Sequence, residues 1–100
     1  QDQYDPMVFA LDMTGGFGHG RGLTDEQASR TALDFCDAQG CRVVLEPERA
    51  RCHALAQRTR DGYWWGVGAA QRLDLARARA FRFCERNAPG ECEIDYTYCQ

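Results

Sequence analysis

Short apolar stretches alternate along the chain with glycine-rich turns and with two segments of helical periodicity. Residues 7–11 and 52–57 are short and mainly apolar, which is typical of strands. Each is followed by a glycine-containing turn and then by a stretch that begins with an aromatic residue, Phe17 or Tyr63. We therefore expect two neighbouring strands at the start of each half of the chain.

Two helices are predicted from cap signals and from small residues at a spacing of four. Residues 24–27, Thr-Asp-Glu-Gln, have the form of a capping box, so the first helix should begin there, run to about Ala38 and stop at Gly40. The second is expected at residues 73–86, since Pro89 bars its continuation. One side of each helix carries small residues, namely Ala28, Ala32, Cys36 and Ala76, Ala80, Cys84. Such a side lets a helix lie close to a sheet.

The chain repeats one pattern at an offset of 48 residues. Residues 17–20, Phe-Gly-His-Gly, align with residues 65–68, Trp-Gly-Val-Gly, and the small residues of the two helices align as well. Strands that open at Cys41 and Cys92 follow the helices. We predict an α+β fold of two pseudo-symmetric β-β-α-β(β) repeats, at about 6–52 and 53–99, packed into one disulfide-stapled domain of residues 1–100.

Six cysteines in a chain of 100 residues indicate a disulfide framework in an oxidising compartment. The repeat favours short Cys36–Cys41 and Cys84–Cys92 bridges from each helix to the next strand. Cys52 and Cys99, interpreted as equivalent ends of the two repeats with three cysteines in each, would then pair. Zinc is the competing interpretation, but the chain has no C-x-x-C pair and no finger-like histidine spacing, so we expect no metal and no cofactor.

The charge distribution points to a protein that does not bind nucleic acid. The net charge is −3, with nine acids and three arginines in residues 1–48 and nine arginines and three acids in residues 49–87. Nucleic-acid binders are more often basic overall. We therefore interpret the separation of acidic and basic residues along the chain as the result of acidic and basic surfaces that meet within one domain. No apolar run approaches the roughly 20 residues of a membrane span. A start at Gln1 fits a mature exported protein, periplasmic or secreted.

The doubled pattern resembles the domain of unknown function 4189 family. Its elements are an alanine-rich strand, a glycine–aromatic–glycine hairpin, a helix ending A-x3-A-x3-C and a strand opened by cysteine. Residues 52–56, Cys-His-Ala-Leu-Ala, are similar to the family's C-A-A-L-A-like segment, and the resemblance covers about Met7 to Cys99. The chain departs from the family pattern at two positions. Pro6 stands where the family has a cysteine, and His53 stands where it more usually has a small residue. The resemblance implies a small, exported, cysteine-bridged bacterial protein, and it carries over no catalytic residue.

The histidines and glycines offer little catalytic chemistry. His19 could be a general base, but the repeat has Val67 at the same position, which favours a histidine that is simply part of the loop. His53 lies next to Cys52, which favours a structural role for it. The glycine-rich residues 15–22 lack the preceding parallel strand of a phosphate-binding loop, so we expect these glycines to supply the positive φ angles of turns and bulges.

Aromatic and basic residues are the strongest binding candidates. Tyr63, Trp64 and Trp65 alternate between two strand faces, so at least one ring should be exposed unless the second repeat or a dimer partner covers both faces. The hairpin that carries Phe17, His19 and Arg21 is a second candidate. Three arginines recur every seven residues along the second helix, either as a solvated side or as a basic contact surface: Arg72, Arg79 and Arg86.

These features favour a non-enzymatic exported protein whose partner is another protein. The function we expect is that of a periplasmic inhibitor or immunity-type protein that occludes a toxin or lytic enzyme. The alternative is a secreted effector that acts on a host or rival cell, by binding or as a small hydrolase that uses His19. Homodimer formation stays open.

Overall fold

The structure, a computed structural model, describes residues 3–100, and within that range the chain forms two helices and six strands. It divides into two compact units, the first ending at Arg49 and the second spanning Ala50–Gln100. Unit 1 contains β1 Pro6–Leu11, β2 Phe17–Arg21, α1 Asp25–Cys36 and β3 Arg42–Arg49. Unit 2 contains β4 Cys52–Arg58, β5 Trp64–Ala70, α2 Leu73–Glu85 and β6 Glu93–Cys99.

Each unit holds one antiparallel three-stranded sheet with its first strand in the middle. The strand order is β2-β1-β3 in unit 1 and β5-β4-β6 in unit 2. The α+β class and the repeated strand–strand–helix–strand unit are therefore confirmed. The part of the chain that the structure describes has no further short strand in either unit; the strand after each helix is one continuous strand, of eight residues in β3 and seven in β6.

Helix α1 begins where its capping box predicts and ends earlier than expected. The hydroxyl of Thr24 accepts the Gln27 N–H at 3.1 Å, and the Gln27 side chain accepts the Leu23 N–H at 3.0 Å. The helix stops at Cys36 because Asp37 adopts a left-handed conformation, with φ of 52°, which aspartate tolerates better than most residues. Gly40 therefore lies in the following turn rather than at the helix end.

Glycines of the second strand in each unit allow the helix backbone to approach the sheet. A Cβ added to Gly20 would lie less than 3 Å from backbone atoms of Ala28 and Ala32, and one on Gly68 would meet Ala76 and Ala80 in the same way. The expectation that the glycines at positions 18 and 20 serve positive φ angles is wrong. Positive φ occurs in the turns, at Gly15, Gly40 and Gly62, whereas the strand glycines are required for close packing.

The middle strand of each sheet is buried on both faces. Val8 and Ala10 of β1 pack against the small residues of α1, and Ala54 and Ala56 of β4 pack in the same way against α2. The opposite faces of these strands are buried too, at Met7, Phe9 and Leu11 of β1 and at His53, Leu55 and Gln57 of β4. Burial of both faces explains why these strands have nearly continuous apolar sequences.

The three disulfides join Cys36 to Cys41, Cys84 to Cys92 and Cys52 to Cys99, the same pairs that the sequence predicts. The first two connect each helix to the strand that follows it.

The Cys52–Cys99 bridge lies wholly within unit 2, where it joins directly opposed residues of β4 and β6. The interpretation of Cys52 and Cys99 as equivalent repeat ends is therefore wrong. In unit 1 the corresponding opposed pair is Pro6 and Arg49, so unit 1 has two cysteines and unit 2 has four. The sequence alignment missed this because it matched cysteine to cysteine rather than strand to strand.

Neither helix in the described part of the chain has the length and apolar composition that a membrane span needs.

Candidate functional site

The side chains of the β2 hairpin are engaged within unit 1. Phe17, His19 and Arg21 share the face of β2 that points away from the close-packed strand glycines. The imidazole of His19 lies opposite Phe9 of β1, with ring centroids 4.7 Å apart. Arg21 donates from Nε to the Asp5 carboxylate at 3.1 Å. The hairpin residues are thus brought together, but Phe17 and His19 are half-buried rather than projecting into solvent.

Burial changes the acid–base chemistry of His19. Loss of solvation lowers the pKa of its imidazole to about 4. At neutral pH the ring is therefore uncharged, and a base with so low a pKa holds a proton weakly. This geometry fits a ring that packs against Phe9 better than it fits a general base.

The turn before β2 is held by one carboxylate. Oδ1 of Asp12 accepts the backbone N–H of Thr14 at 2.8 Å, the Thr14 hydroxyl at 2.8 Å and the backbone N–H of Gly16 at 2.9 Å. These bonds, with the Thr14 backbone bond the largest contribution, lower the pKa of Asp12 below its usual value of 3.8. The hairpin is therefore held in a defined conformation at neutral pH.

The three aromatic residues 63–65 are all half-buried, and each is directed differently. Trp64 lies on the helix side of β5 and packs against the core of unit 2. The Tyr63 hydroxyl donates to the side-chain Oε1 of Gln57, and Nε2 of Gln57 donates to the Asp95 carboxylate at 2.7 Å. None of the three rings is fully exposed, and Trp64 occupies a core position on the helix side of β5.

Trp65 belongs to an aromatic cluster at the surface of unit 2. Its ring centroid lies 5.1 Å from that of Phe83 on α2, and the guanidinium carbon of Arg86 lies 5.5 Å from the Phe83 centroid. We call Trp65, Phe83 and Arg86 the aromatic–arginine cluster. Sequence reasoning missed Phe83 as a functional candidate, although its alignment with Phe35 was visible. In unit 1 Phe35 is 70% exposed.

A row of arginines extends from this cluster along α2. We call Arg72, Arg79, Arg82 and Arg86 the arginine stripe; all four are exposed. Arg79 donates to the Ala69 carbonyl oxygen at 2.6 Å, and Arg72 pairs with Asp74 at 2.5 Å. Leu75, 39% exposed, lies between Arg72 and Arg79 on the same side of the helix. The stripe is therefore partly fixed by contacts within unit 2.

Two depressions lie in unit 2. An open groove of about 660 Å³ runs beside α2 and is lined by Ala78, Phe81, Arg82, Glu85, Glu91 and Cys92. A smaller cavity of about 310 Å³ is lined by Gln57, Thr59, Arg60, Glu91, Glu93 and Asp95. Despite these carboxylates, residues 3–100 contain no group of three histidine, cysteine, aspartate or glutamate side chains placed to hold a metal ion.

Comparisons with known proteins place the chain by family alone. No curated protein and no solved structure matches it. The family model described as Domain of unknown function (DUF4189) matches residues 8–99, which covers both units from β1 to the end of β6. The chain belongs to this family, and the match spans both of the chain's strand–strand–helix–strand units.

Proposed function

We propose that this protein is an exported bacterial binding protein that acts by occupying a surface of another protein, as a periplasmic inhibitor or immunity-type protein. Its target would be a toxin or a lytic enzyme of the cell envelope. Three disulfides in a chain of 100 residues support folding in an oxidising compartment, where such proteins act.

The observation that carries the proposal is the aromatic–arginine cluster. Tryptophan and arginine are the residues most enriched among those that dominate protein–protein affinity. Here the Trp65 and Phe83 rings stack at 5.1 Å, and Arg86 lies over Phe83 at 5.5 Å. Because these contacts already orient the side chains, little conformational entropy remains to be lost when a partner binds.

The surrounding structure supports the same mode of action. The backbone of β5 packs tightly on α2 through Gly66 and Gly68, and the Cys84–Cys92 bridge ties the end of α2 to the chain before β6. A rigid platform of this kind presents its surface without rearrangement, as inhibitors of enzymes commonly do. The hydrolase alternative is less well supported, because the neutral His19 packs on Phe9 and is a weak base.

The experiment begins with the oxidised protein as bait against envelope and culture-medium fractions of the bacterium that makes it. We expect one protein to bind stoichiometrically and to lose its lytic or toxic activity when the complex forms. The double variant Phe83→Leu, Arg86→Ala should weaken that complex at least about tenfold while its melting temperature stays near that of the parent. The matched control is Phe35→Leu, the equivalent aromatic position in unit 1, which should bind normally.

Two results would refute the proposal. The first is the absence of any stoichiometric protein partner in both fractions. The second is a partner whose affinity is unchanged in the double variant. Trp64→Ala is unsuitable as a binding test, because Trp64 packs against the core of unit 2 and its loss would destabilise the fold.

A further inference from the structure

The arginine stripe is present in one unit only. At the repeat offset of 48 residues, the four stripe positions correspond to uncharged or acidic residues on α1 or next to its ends, namely Thr24, Thr31, Asp34 and Ala38. Both helices nevertheless bury the same small residues and pack on a strand with the same close-packed glycines. Helix packing in this fold therefore does not require arginines at these positions.

The stripe forms a continuous side of α2. Positions 72, 79 and 86 are seven residues apart and so lie nearly in line, and position 82 lies beside them, three or four residues from its neighbours. Arg72 precedes the first helical residue, and the row extends about 20 Å to Arg86. This is long enough to contact an element of secondary structure in a partner.

Most of the positive charge on the stripe is not paired with a carboxylate of residues 3–100. Arg72 pairs with Asp74, but among residues 3–100 no carboxylate lies within ion-pair distance of Arg79, Arg82 or Arg86. The nearby carboxylate of Glu85 makes no ion pair with these arginines and instead accepts a hydrogen bond from the backbone N–H of Cys92 at 2.9 Å. The charges of Arg79, Arg82 and Arg86 can therefore pair with a ligand of opposite charge, although Arg79 also donates to the Ala69 carbonyl oxygen and Arg82 shares its groove with Glu85 and Glu91.

We propose that the arginine stripe is the docking surface for an acidic face of the protein partner, with Trp65 and Phe83 supplying apolar contact at its end. This inference rests on the proposed function and names the chemistry of the partner. Guanidinium groups recognise carboxylates through paired hydrogen bonds of defined geometry. Their charge also steers a partner of opposite sign into the correct orientation.

The observations favour a protein over an anionic polymer. The chain carries a net charge of −3, which opposes the sequence-independent binding of nucleic acids and similar polyanions. The stripe also runs into stacked aromatic rings, and Leu75 lies within it, so its surface combines charged and apolar contacts. A folded acidic protein surface can match both kinds of contact.

The test uses a synthetic amphipathic peptide with glutamates on its polar side and leucines on the other, titrated into the isotope-labelled, oxidised protein. We expect saturable binding that shifts the indole N–H signal of Trp65 and weakens as salt is added. Arg82→Gln with Arg86→Gln should raise the dissociation constant at least about tenfold. The matched variant Arg30→Gln with Arg77→Gln removes the same charge away from the stripe and should change it less than about twofold.

Several outcomes would overturn the inference. Equal weakening in both double variants would mean that bulk charge, not the stripe, attracts the peptide. Tighter binding of heparin than of the peptide would assign the stripe to a polyanion. Self-association that disappears in Arg82→Gln, Arg86→Gln would make a second copy the occupant. If the peptide fails to bind while a stoichiometric protein still binds through Phe83, the inference fails and the proposed function stands.

Discussion

The buried imidazole of His19 should make the protein lose stability in mild acid. In the unfolded chain this histidine takes up a proton with a pKa near 6.5, whereas burial in the folded protein lowers the pKa to about 4. Between these values the unfolded state binds more protons than the folded state. The free energy of unfolding must therefore fall as the pH is lowered through this range.

The size of the effect follows from the difference between the two pKa values. One unit corresponds to about 1.4 kcal/mol, so the loss between pH 6.5 and 4 is on the order of 3 kcal/mol. The contribution is fully present above pH 6.5 and is lost once the pH falls below about 4. Asp12 acts in a lower range, because its folded-state pKa lies below 3.8, and it therefore weakens the fold mainly in stronger acid.

Urea unfolding at intervals from pH 7.5 to pH 3.5 measures this loss. The control is His19→Val, which places at this position the residue that the repeat has at Val67 of β5. We expect the variant to lose about 3 kcal/mol less stability than the parent between pH 6.5 and 4, so that the difference between the two curves isolates His19 from other titrating groups. A measured pKa near 6.5 for His19 in the folded protein, or equal pH dependence in the variant, would refute the reasoning.

Further substitutions test the strand glycines, the Cys52–Cys99 bridge and the core. Gly20→Ala should destabilise unit 1 by about 3 kcal/mol in thermal unfolding, since its Cβ would meet helix backbone. Gly90→Ala should cost less, because its Cβ would meet the guanidinium group of Arg58 and no backbone atom. Replacing Cys52 and Cys99 by alanine should cost about 4 kcal/mol in denaturant unfolding, because the bridge closes a separation of 47 residues; a loss below about 1 kcal/mol would argue against the chain-entropy account. Trp64→Ala should lower the melting temperature by several degrees, and an unchanged value would contradict its placement in the core.

Local signals explain why much of the fold is predictable from the sequence. The capping box at Thr24 and the small residues at a spacing of four each act over one or two helical turns, so short segments reveal them. The short Cys36–Cys41 bridge follows from the same local geometry, because it joins a helix end to the start of the next strand. These features require no knowledge of distant contacts.

The candidate site was only partly predictable. Trp65 and Arg86 were visible as binding candidates, but Phe83 joins them only because α2 packs beside β5. Trp64 shows the same limitation. Alternation along a strand separates it from Trp65, yet the pattern does not say which face the helix covers.

By itself the sequence determined the repeat, the order of the strands and helices, and the two short cysteine bridges from each helix to the next strand, because each depends on residue type and spacing along the chain. The tertiary structure decided what contacts each face. It placed Gly18 and Gly20 against helix backbone rather than in turns, and it put Cys52 and Cys99 on neighbouring strands of one unit. These placements depend on contacts between residues far apart in the chain, and the local sequence pattern carries no information about such contacts.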